Sequence, residues 1–451
     1  MYGSMMGDAR ETALPPGAAW LRRVDAGEGP IYRRLFEALR GAIADGELSA
    51  GEQLPPQRTV AALLGVDFTT VTRAYARARE QGLVEGTAGR GTFVRRRAGE
   101  DEAGRVDLSM NLPPQPEGLS LAALLRETTA AVLARTDPAT LMAYHAGPGA
   151  LAQRAAGAAW LAPGLGAVDP ERIVVCAGAQ AALSAILAVE TAPGDAVVVE
   201  ALTYPGLLAA LAARGLRAVA CPMDGEGIVP EALAGRLAQS GARLVVVTPT
   251  WQNPTTATMS PERRAAVVEA CGRAGARLVE DDAYGRSPDT VPAALASLAP
   301  ERAWHVATLA KALTPGLRIA YVAAPDANAA RRLAAAGHAL CQMPAPLMAA
   351  VATAWIREGT AQAILAGVRA EAAARRALAA EILPRAIGPA GCLHVWLDRA
   401  GAVAPEGLSL APAALFAAPG IAPGTTMEGA RLSLGAPGKR AVLASALRRL
   451  A

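Results

Sequence analysis

The chain has 451 residues, of which 52% are hydrophobic and 19% are charged. This length exceeds what one ordinary core holds, so two or three domains are expected, and the composition excludes a disordered chain. The net charge is +4, and residues 1–98 carry +3 of it, from 14 arginines against 11 acidic residues. That mild asymmetry permits nucleic-acid binding near the N-terminus without establishing it.

The cysteines, the histidines and the hydropathy exclude further classes of protein. The five cysteines and four histidines are dispersed, and no two cysteines form a C-x-x-C pair. This pattern predicts reduced thiols in a cytoplasmic protein and no metal site. The N-terminus lacks the pattern of a signal peptide, and no run of about 18 uninterrupted apolar residues occurs, so no transmembrane helix is expected.

The N-terminal quarter of the chain predicts a small helical domain with a β-hairpin. Residues 1–28 are mixed in character and are predicted to form a mobile tail with at most one helical turn. Apolar spacing then predicts three helices, from Ile31 to Ala44, from Thr59 to Leu64 and from about Phe68 to Gln81. A hairpin follows, with Arg90 at its tip. Three helices and a basic hairpin describe a winged helix-turn-helix, whose third helix would lie in the major groove.

This block, residues 29–96, resembles the DNA-binding domain of the GntR family. The motifs that carry the resemblance are Gly46-x-Leu48, Gly51-x-x-Leu54-Pro55, Arg58, Thr70-Val71-x-x-Ala74-Tyr75, Gly82-Leu83-Val84 and Gly89-x-Gly91-Thr92-Phe93-Val94. The resemblance implies DNA contacts from Arg58, Thr69, Thr70, Thr72 and Arg90. The chain departs from the family at Pro56-Gln57, where serines are usual, and at Phe68, where the family has an arginine that could contact guanine. A module that no longer binds DNA is the alternative.

The segment after the hairpin predicts a linker and then a second domain. Residues 97–117 combine an acidic cluster with a proline-rich run, a composition typical of linkers. Residues 118–451 are predicted to form the second domain. Its large part would span about 145–325 and its small α+β part about 330–451.

Lys311 stands out in this second domain because the chain has only two lysines, the other being Lys439. An amine that can lose its proton is a nucleophile able to form a Schiff base, which a guanidinium is not. Asp281 and Lys311 each follow an apolar run typical of a buried strand. Two parallel strand ends can therefore deliver a carboxylate and an amine to one crevice, and Arg318 could bind a phosphate there. Taken singly, Asp281 could cap an ordinary strand and Lys311 could lie on a solvated loop.

The order of these residues resembles the signature of fold-type I aminotransferases, which use pyridoxal 5'-phosphate (PLP), over roughly residues 110–451. The resemblance implies an internal aldimine between PLP and Lys311, with Asp281 at the pyridine nitrogen. It also implies that Arg431 binds the carboxylate of a substrate or effector, and that Lys311, Asp281 and Tyr284 are the catalytic groups of any reaction. The other implied cofactor contacts are Asn253, Tyr204, Gly178, Ala179, Gln180, Thr308, Arg318 and Tyr144, the last usually on the cofactor of the partner subunit.

The two domains in this order resemble the MocR subfamily of GntR-type bacterial regulators. The resemblance implies a homodimeric transcriptional regulator that binds operator DNA and senses PLP or an amino-acid or amine effector through Lys311. Effector binding would shift the small domain and the linker. Two alternatives stay open. One is a catalytically active PLP-dependent aminotransferase with an appended winged helix, and the other is a PLP-binding structural dimer whose DNA module is vestigial.

Overall fold

The computed structural model describes residues 18–26, 29–44, 47–48, 51–87, 91–95, 105–284, 292–398, 404–421 and 428–451. The chain forms two compact units, Met1–Glu100 and Asp101–Ala451. Each has its own hydrophobic core, as expected for domains that can fold independently.

The first unit contains three α-helices and a two-stranded antiparallel hairpin. Its elements are a 3-10 helix at Ala19–Ala26, α1 (Ile31–Ala44), α2 (Gln57–Leu64), α3 (Phe68–Glu80), β1 (Val84–Thr87) and β2 (Gly91–Val94). The left-handed Gly65 ends α2, and Asp67 begins α3 by accepting a hydrogen bond from the Thr69 amide. The side chains of Val71, Ala74 and Tyr75 fix which face of α3 points into the core.

The predicted N-terminal tail differs from the structure over residues 18–26. Trp20 is fully buried, and with Leu21 and Val24 it packs in the same core as α1 and α3. A short apolar cluster beside glycine and proline gives no helical periodicity in the sequence. Its burial depends on the surface that α1 offers after folding.

The second unit begins with a set of alternating helices and strands. These elements are β3 (Val106–Asp107), α4 (Leu121–Arg135), α5 (Pro138–Leu141), α6 (Leu151–Leu165), β4 (Ile173–Cys176), α7 (Ala179–Glu190), β5 (Ala196–Glu200), α8 (Pro205–Ala213), β6 (Arg217–Cys221), β7 (Met223–Asp224), β8 (Gly227–Ile228), α9 (Pro230–Ser240), β9 (Leu244–Val247), α10 (Pro261–Arg273), β10 (Arg277–Asp282), α11 (Leu295–Leu298), β11 (Ala303–Thr308), α12 (Leu309–Ala312) and β12 (Ala320–Ala323). The C-terminal part adds α13 (Ala327–Cys341), α14 (Pro346–Arg357), α15 (Thr360–Ile382), β13 (Ala386–Ile387), β14 (His394–Leu397), β15 (Leu408–Ser409), β16 (Ala411–Pro412), β17 (Ala430–Ser433) and α16 (Arg440–Arg448).

A seven-stranded sheet organises the large part of this unit, in the order β4-β12-β11-β10-β9-β5-β6. Within it, β12 runs antiparallel to its two neighbours, and the other pairs are parallel. Strands β4, β5 and β9 are buried, nearly continuous apolar runs, as expected where helices cover both faces of a parallel sheet. Because β10 and β11 are adjacent and parallel, their carboxyl ends meet at one edge of the sheet.

A second sheet, in the order β13-β14-β17-β16, forms the small part. The segment predicted as a linker is integrated with this part from residue 105 onward. Its strand β3 pairs with β15, Leu108 is fully buried, and the Leu108 carbonyl accepts a hydrogen bond from the Ser433 amide. The proline-rich run that follows is also packed against the domain, since Pro113, Pro114 and Pro116 are buried, so residues 105–116 are not a free spacer.

Candidate functional site

Asp281 and Lys311 meet at the carboxyl ends of β10 and β11, as the topology of parallel strands predicts. Asp281 is buried, and among the described residues its Oδ1 atom has no hydrogen-bond partner. Burial raises the pKa of Asp281 to about 7, with Asp282 raising it further, while His305 and Lys311 oppose the shift. Such a carboxylate is stabilised by a cation or donor brought to its free oxygen.

Lys311 lies in the short helix α12, directly after β11. Burial lowers the pKa of its amine to about 8, and the positive charges of Arg431 and Arg318 add to this effect. Its Nζ atom donates a hydrogen bond to the main-chain carbonyl of Asn111. An amine with this pKa is partly neutral near pH 8 and is therefore more nucleophilic than an ordinary lysine.

Arg318 packs against the turn at Gly178 and lies near enough to Lys311 to lower the pKa of its amine. Gly178 has a φ of +91° and precedes α7, whose first residues are Ala179 and Gln180. A Cβ atom at Gly178 would lie 2.9 Å from Arg318 Nη2, so the guanidinium group packs directly against this turn. Free amides at a helix N-terminus and an arginine together suit a phosphate group. The Gln180 side chain donates to the Gly206 carbonyl at 2.8 Å.

Arg431, on β17, is buried and faces the same crevice. Its Nη1 atom donates to Asn253 Oδ1 at 2.7 Å, and its Nη2 atom donates to the main-chain carbonyl of Ser109. Burial lowers the pKa of Arg431, and the nearby Tyr284 opposes that shift. The side chain predicted to reach a cofactor oxygen, Asn253, is thus engaged with the predicted carboxylate-binding arginine.

Asn111 and His394 line the site but were missed by sequence reasoning. Asn111 Nδ2 lies 3.1 Å from the Tyr284 hydroxyl, to which it donates, and 3.2 Å from His394 Nδ1. His394 Nδ1 is consequently the acceptor, and Nε2 faces the Gln252 carbonyl at 3.3 Å. Burial lowers the pKa of His394 to about 3, so the ring is neutral. A polar residue within an apolar run was the only signal for either.

Other predicted cofactor residues differ in their surroundings. Tyr204 is half-buried, and burial together with Asp281 raises its pKa, which keeps its hydroxyl protonated beside the site. The Thr308 hydroxyl caps α12 by accepting from the Ala310 amide at 3.2 Å. Tyr144 is 80% exposed and is not brought to the crevice within one chain.

The predicted DNA contacts lie on α2 and the start of α3. The Arg58, Thr69 and Thr72 side chains are exposed, and Thr70 is half-buried. Arg90, at the predicted wing tip, lies outside the described residues. The Thr72 hydroxyl donates to Gln57 Oε1 at 2.9 Å, which links the two helices and leaves its oxygen free to accept.

Metal clusters and membrane spans are both absent from the described ranges. Those ranges contain no group of three or more histidine, cysteine, aspartate or glutamate residues that could hold a metal ion. No helix within them is both long and apolar enough to cross a membrane.

Comparison with known families gives the class of protein that this fold and site define. Residues 31–94 match the family described as bacterial regulatory proteins of the gntR family, and residues 104–422 match aminotransferase class I and II. The protein is thus a helix-turn-helix regulator domain joined to an aminotransferase-class domain, which confirms the predicted fold class. The chain belongs to the MocR subfamily of GntR-type regulators.

Individual relatives agree with this assignment. The probable rhizopine catabolism regulatory protein MocR of Rhizobium meliloti is 30% identical over 66% of this chain and 66% of its own length. The vitamin B6 salvage pathway transcriptional repressor PtsJ of Salmonella typhimurium is 30% identical over 67% of this chain and 70% of its own. Among solved structures, the α-aminoadipate aminotransferase LysN of Thermus thermophilus superposes with a TM-score of 0.68. It is 24% identical, and the match covers 83% of this chain and 97% of LysN, which shows the shared fold.

Proposed function

We propose that this protein is a PLP-dependent transcriptional regulator. It binds operator DNA through its first unit as a homodimer, and senses PLP or an amino-acid or amine effector at Lys311 in its second unit. The free thiols of all five cysteines fit a cytoplasmic setting, and the exposed Tyr144 is available to a partner subunit. PtsJ is a transcriptional repressor of the vitamin B6 salvage pathway, which makes PLP itself one candidate signal for this chain.

The residues of the crevice fit PLP group by group. Asp281 offers a carboxylate oxygen without a partner among the described residues to a protonated ring nitrogen, and Lys311 offers an amine of lowered pKa to an aldehyde. Gly178 and Arg318 offer donors to a phosphate. When bound, PLP supplies an aldehyde that captures primary amines covalently. This chain's own residues supply the holding groups and the neutral amine.

One observation carries the regulatory part of the proposal. The Ser109 and Asn111 carbonyls accept hydrogen bonds from the two side chains that an amino-acid effector and PLP would use, Arg431 and Lys311. An effector carboxylate would compete with the Ser109 carbonyl for Arg431. The guanidinium of Arg431 is charged in both cases, but a carboxylate adds a negative charge and can accept two parallel hydrogen bonds, so it is a better partner than a main-chain carbonyl.

The segment from 105 to 112 is held by contacts that such a displacement would alter. It leads in sequence directly back to the DNA-binding unit. Its backbone pairs with β15 and β17, and a side chain at Gly435 would collide with the Leu112 carbonyl. A ligand that removes the Ser109 contact therefore acts on the chain segment that connects the two units. Effector binding and DNA binding are coupled because the ligand favours one arrangement of this segment.

Hydrogen exchange tests this function in the PLP-loaded full chain. The protein is exposed to a panel of amino acids and amines, and amide exchange across residues 105–112 is followed together with DNA affinity. An effector should accelerate amide exchange in that segment and change DNA affinity, and both changes should depend on effector concentration in the same way. The Arg431→Gln variant should lose the response to carboxylate-bearing effectors. A change in DNA affinity with unaltered exchange at 105–112 would contradict the displacement.

A second candidate function is transamination, because Asp281, Lys311, Tyr284 and Arg431 surround one crevice in this structure. The test is turnover of an amino donor with a keto acid by the PLP-loaded protein, with Lys311→Ala as the control. Sustained product formation that Lys311→Ala abolishes would favour the enzyme. Absence of turnover across the panel, with DNA binding retained, would favour the regulator.

A further inference from the structure

Phe68 is an exposed aromatic residue at the position where a recognition helix begins. It is the first residue of α3, and 45% of its surface is exposed to solvent. The other exposed side chains of the first two turns are Thr69, Thr72 and Arg73. In a helix-turn-helix, residues at the N-terminal end of this helix contact base edges in the major groove.

The orientation of Phe68 is fixed by the residues around it. Val71, Ala74 and Tyr75 anchor the opposite face of α3 in the core, so the helix cannot rotate. Asp67 Oδ1 accepts from the Thr69 amide at 2.7 Å and caps the first turn. The Phe68 carbonyl lies 3.0 Å from the Thr72 hydroxyl, which shares its one proton between this oxygen and Gln57 Oε1. The ring therefore points outward from a rigid turn, and a partner can cover it without any movement of α3.

The charges beside Phe68 indicate which kind of partner covers it. The Arg58 guanidinium lies 6.0 Å from the centre of the Phe68 ring, within the range of a cation–π contact. Arg73 is exposed one turn further along the helix. An aromatic ring flanked by exposed arginines suits a polyanion that also has apolar groups, which describes the major groove of DNA better than an apolar protein surface.

Phenylalanine has no hydrogen-bonding group, so it cannot read the donors and acceptors of a base edge. The apolar group that B-DNA exposes in the major groove is the C5-methyl group of thymine. We propose that Phe68 is a specificity-determining residue that packs on a thymine methyl group in the operator. Arg58, held beside the ring, contacts the neighbouring phosphate or base. This inference rests on the proposed DNA-binding function and states which base that function recognises.

The test starts by selecting DNA from a randomised pool with the full-length, PLP-loaded protein at one stated salt concentration. Each thymine in the selected site is then replaced singly by deoxyuridine, which removes only the methyl group. Affinities are measured for the parent chain, Phe68→Ala and the control Ile31→Ala, which truncates an apolar residue of α1 that is 42% exposed. Both positions lie at the surface, so neither substitution disturbs the core.

At one thymine, deoxyuridine should weaken binding by the parent chain about fourfold, the value expected for one buried methyl group. Phe68→Ala should bind more weakly but be indifferent to that replacement, whereas Ile31→Ala should behave as the parent chain. Selection with Phe68→Arg should yield guanine at the same position. A selected site whose uracil substitutions have equal effects on the parent chain and Phe68→Ala would overturn this inference alone. Failure to enrich any sequence would overturn the proposed DNA-binding function with it.

Discussion

The ligand crevice of the second unit and the DNA-facing helix of the first differ in how they expose charge. In the crevice, Asp281 and Arg431 are buried, and burial shifts the pKa of both. On the helix, Arg58 and Arg73 are exposed. Buried charge is costly unless it is partnered, so a ligand that donates to the free oxygen of Asp281 would stabilise the crevice. Exposed charge costs little, and its role depends on which surface the fold presents.

The largest effect we expect is complete loss of PLP attachment when the amine of Lys311 is removed. Lys311→Ala should abolish covalent attachment of PLP, and so should Lys311→Arg, because a guanidinium retains the charge without being a nucleophile. Lys439→Ala is the matched control, since it removes the only other lysine of the chain. Borohydride reduction followed by mass spectrometry locates the adduct. An adduct that persists in Lys311→Ala would break the assignment of this site.

The stability of the first unit should depend more on its buried N-terminal segment than on its exposed side chains. Trp20→Ala should lower the stability of that unit by about 3–5 kcal/mol, because it leaves a cavity beside α1. Ile31→Ala, at a position 42% exposed, should change it by less than about 1 kcal/mol. Native-state hydrogen exchange of α1 and α3 in the full chain measures both. Equal effects of the two variants would contradict the burial of residues 18–26.

The next largest effect concerns the pH dependence of PLP attachment at Lys311. Attachment of PLP needs the neutral amine, and the pKa of Lys311 is lowered to about 8 from 10.5, so the rate should fall as pH drops through 8. Arg431→Gln removes a positive charge that lowers this pKa, so the midpoint should move to higher pH. Arg357→Gln, at an exposed position of α14, is the control and should leave the midpoint unchanged. A midpoint unaffected by Arg431→Gln would contradict a contribution of the Arg431 charge to the pKa of Lys311.

The smallest expected effect concerns DNA binding by the exposed side chain of Arg58. If Arg58 contacts a phosphate, Arg58→Ala should weaken binding to all DNA sequences alike and reduce the salt slope by about 1. Arg40→Ala removes an exposed arginine of α1 that pairs with Glu37, and it should leave the slope unaltered. Affinity measured over a series of salt concentrations distinguishes these cases. A loss at only one base position would instead assign Arg58 to base recognition.

Features of the crevice that depend on local sequence could be predicted, whereas those that depend on distant residues could not. Asp281 and Lys311 follow apolar strands, and adjacent parallel strands deliver their ends to one place, so a local pattern sufficed. Asn111 contacts Tyr284 and His394, which lie 173 and 283 residues further along the chain. No local pattern encodes such pairs. Residues 105–112 likewise resembled a spacer because an acidic cluster precedes them and a proline-rich run follows, although their backbone pairs with β15 and β17.

The burial of Trp20 escaped prediction for a related reason. Its segment has no helical periodicity of its own and becomes ordered only against α1. Phe68, by contrast, was visible in the sequence as a departure from the family's arginine. Its exposure and its position beside Arg58 required the structure.

The central claim is that the crevice around Lys311 controls DNA binding, and one measurement tests it most directly. Affinity for the DNA upstream of the protein's own gene is compared with random DNA at a fixed salt concentration, for the apo protein, the PLP-loaded protein and Lys311→Ala with PLP added. We predict saturable binding that exceeds binding to random DNA and changes on PLP loading, and a Lys311→Ala variant that stays at the apo value. Equal affinity of all three forms for both DNAs would contradict the claim and favour the aminotransferase function.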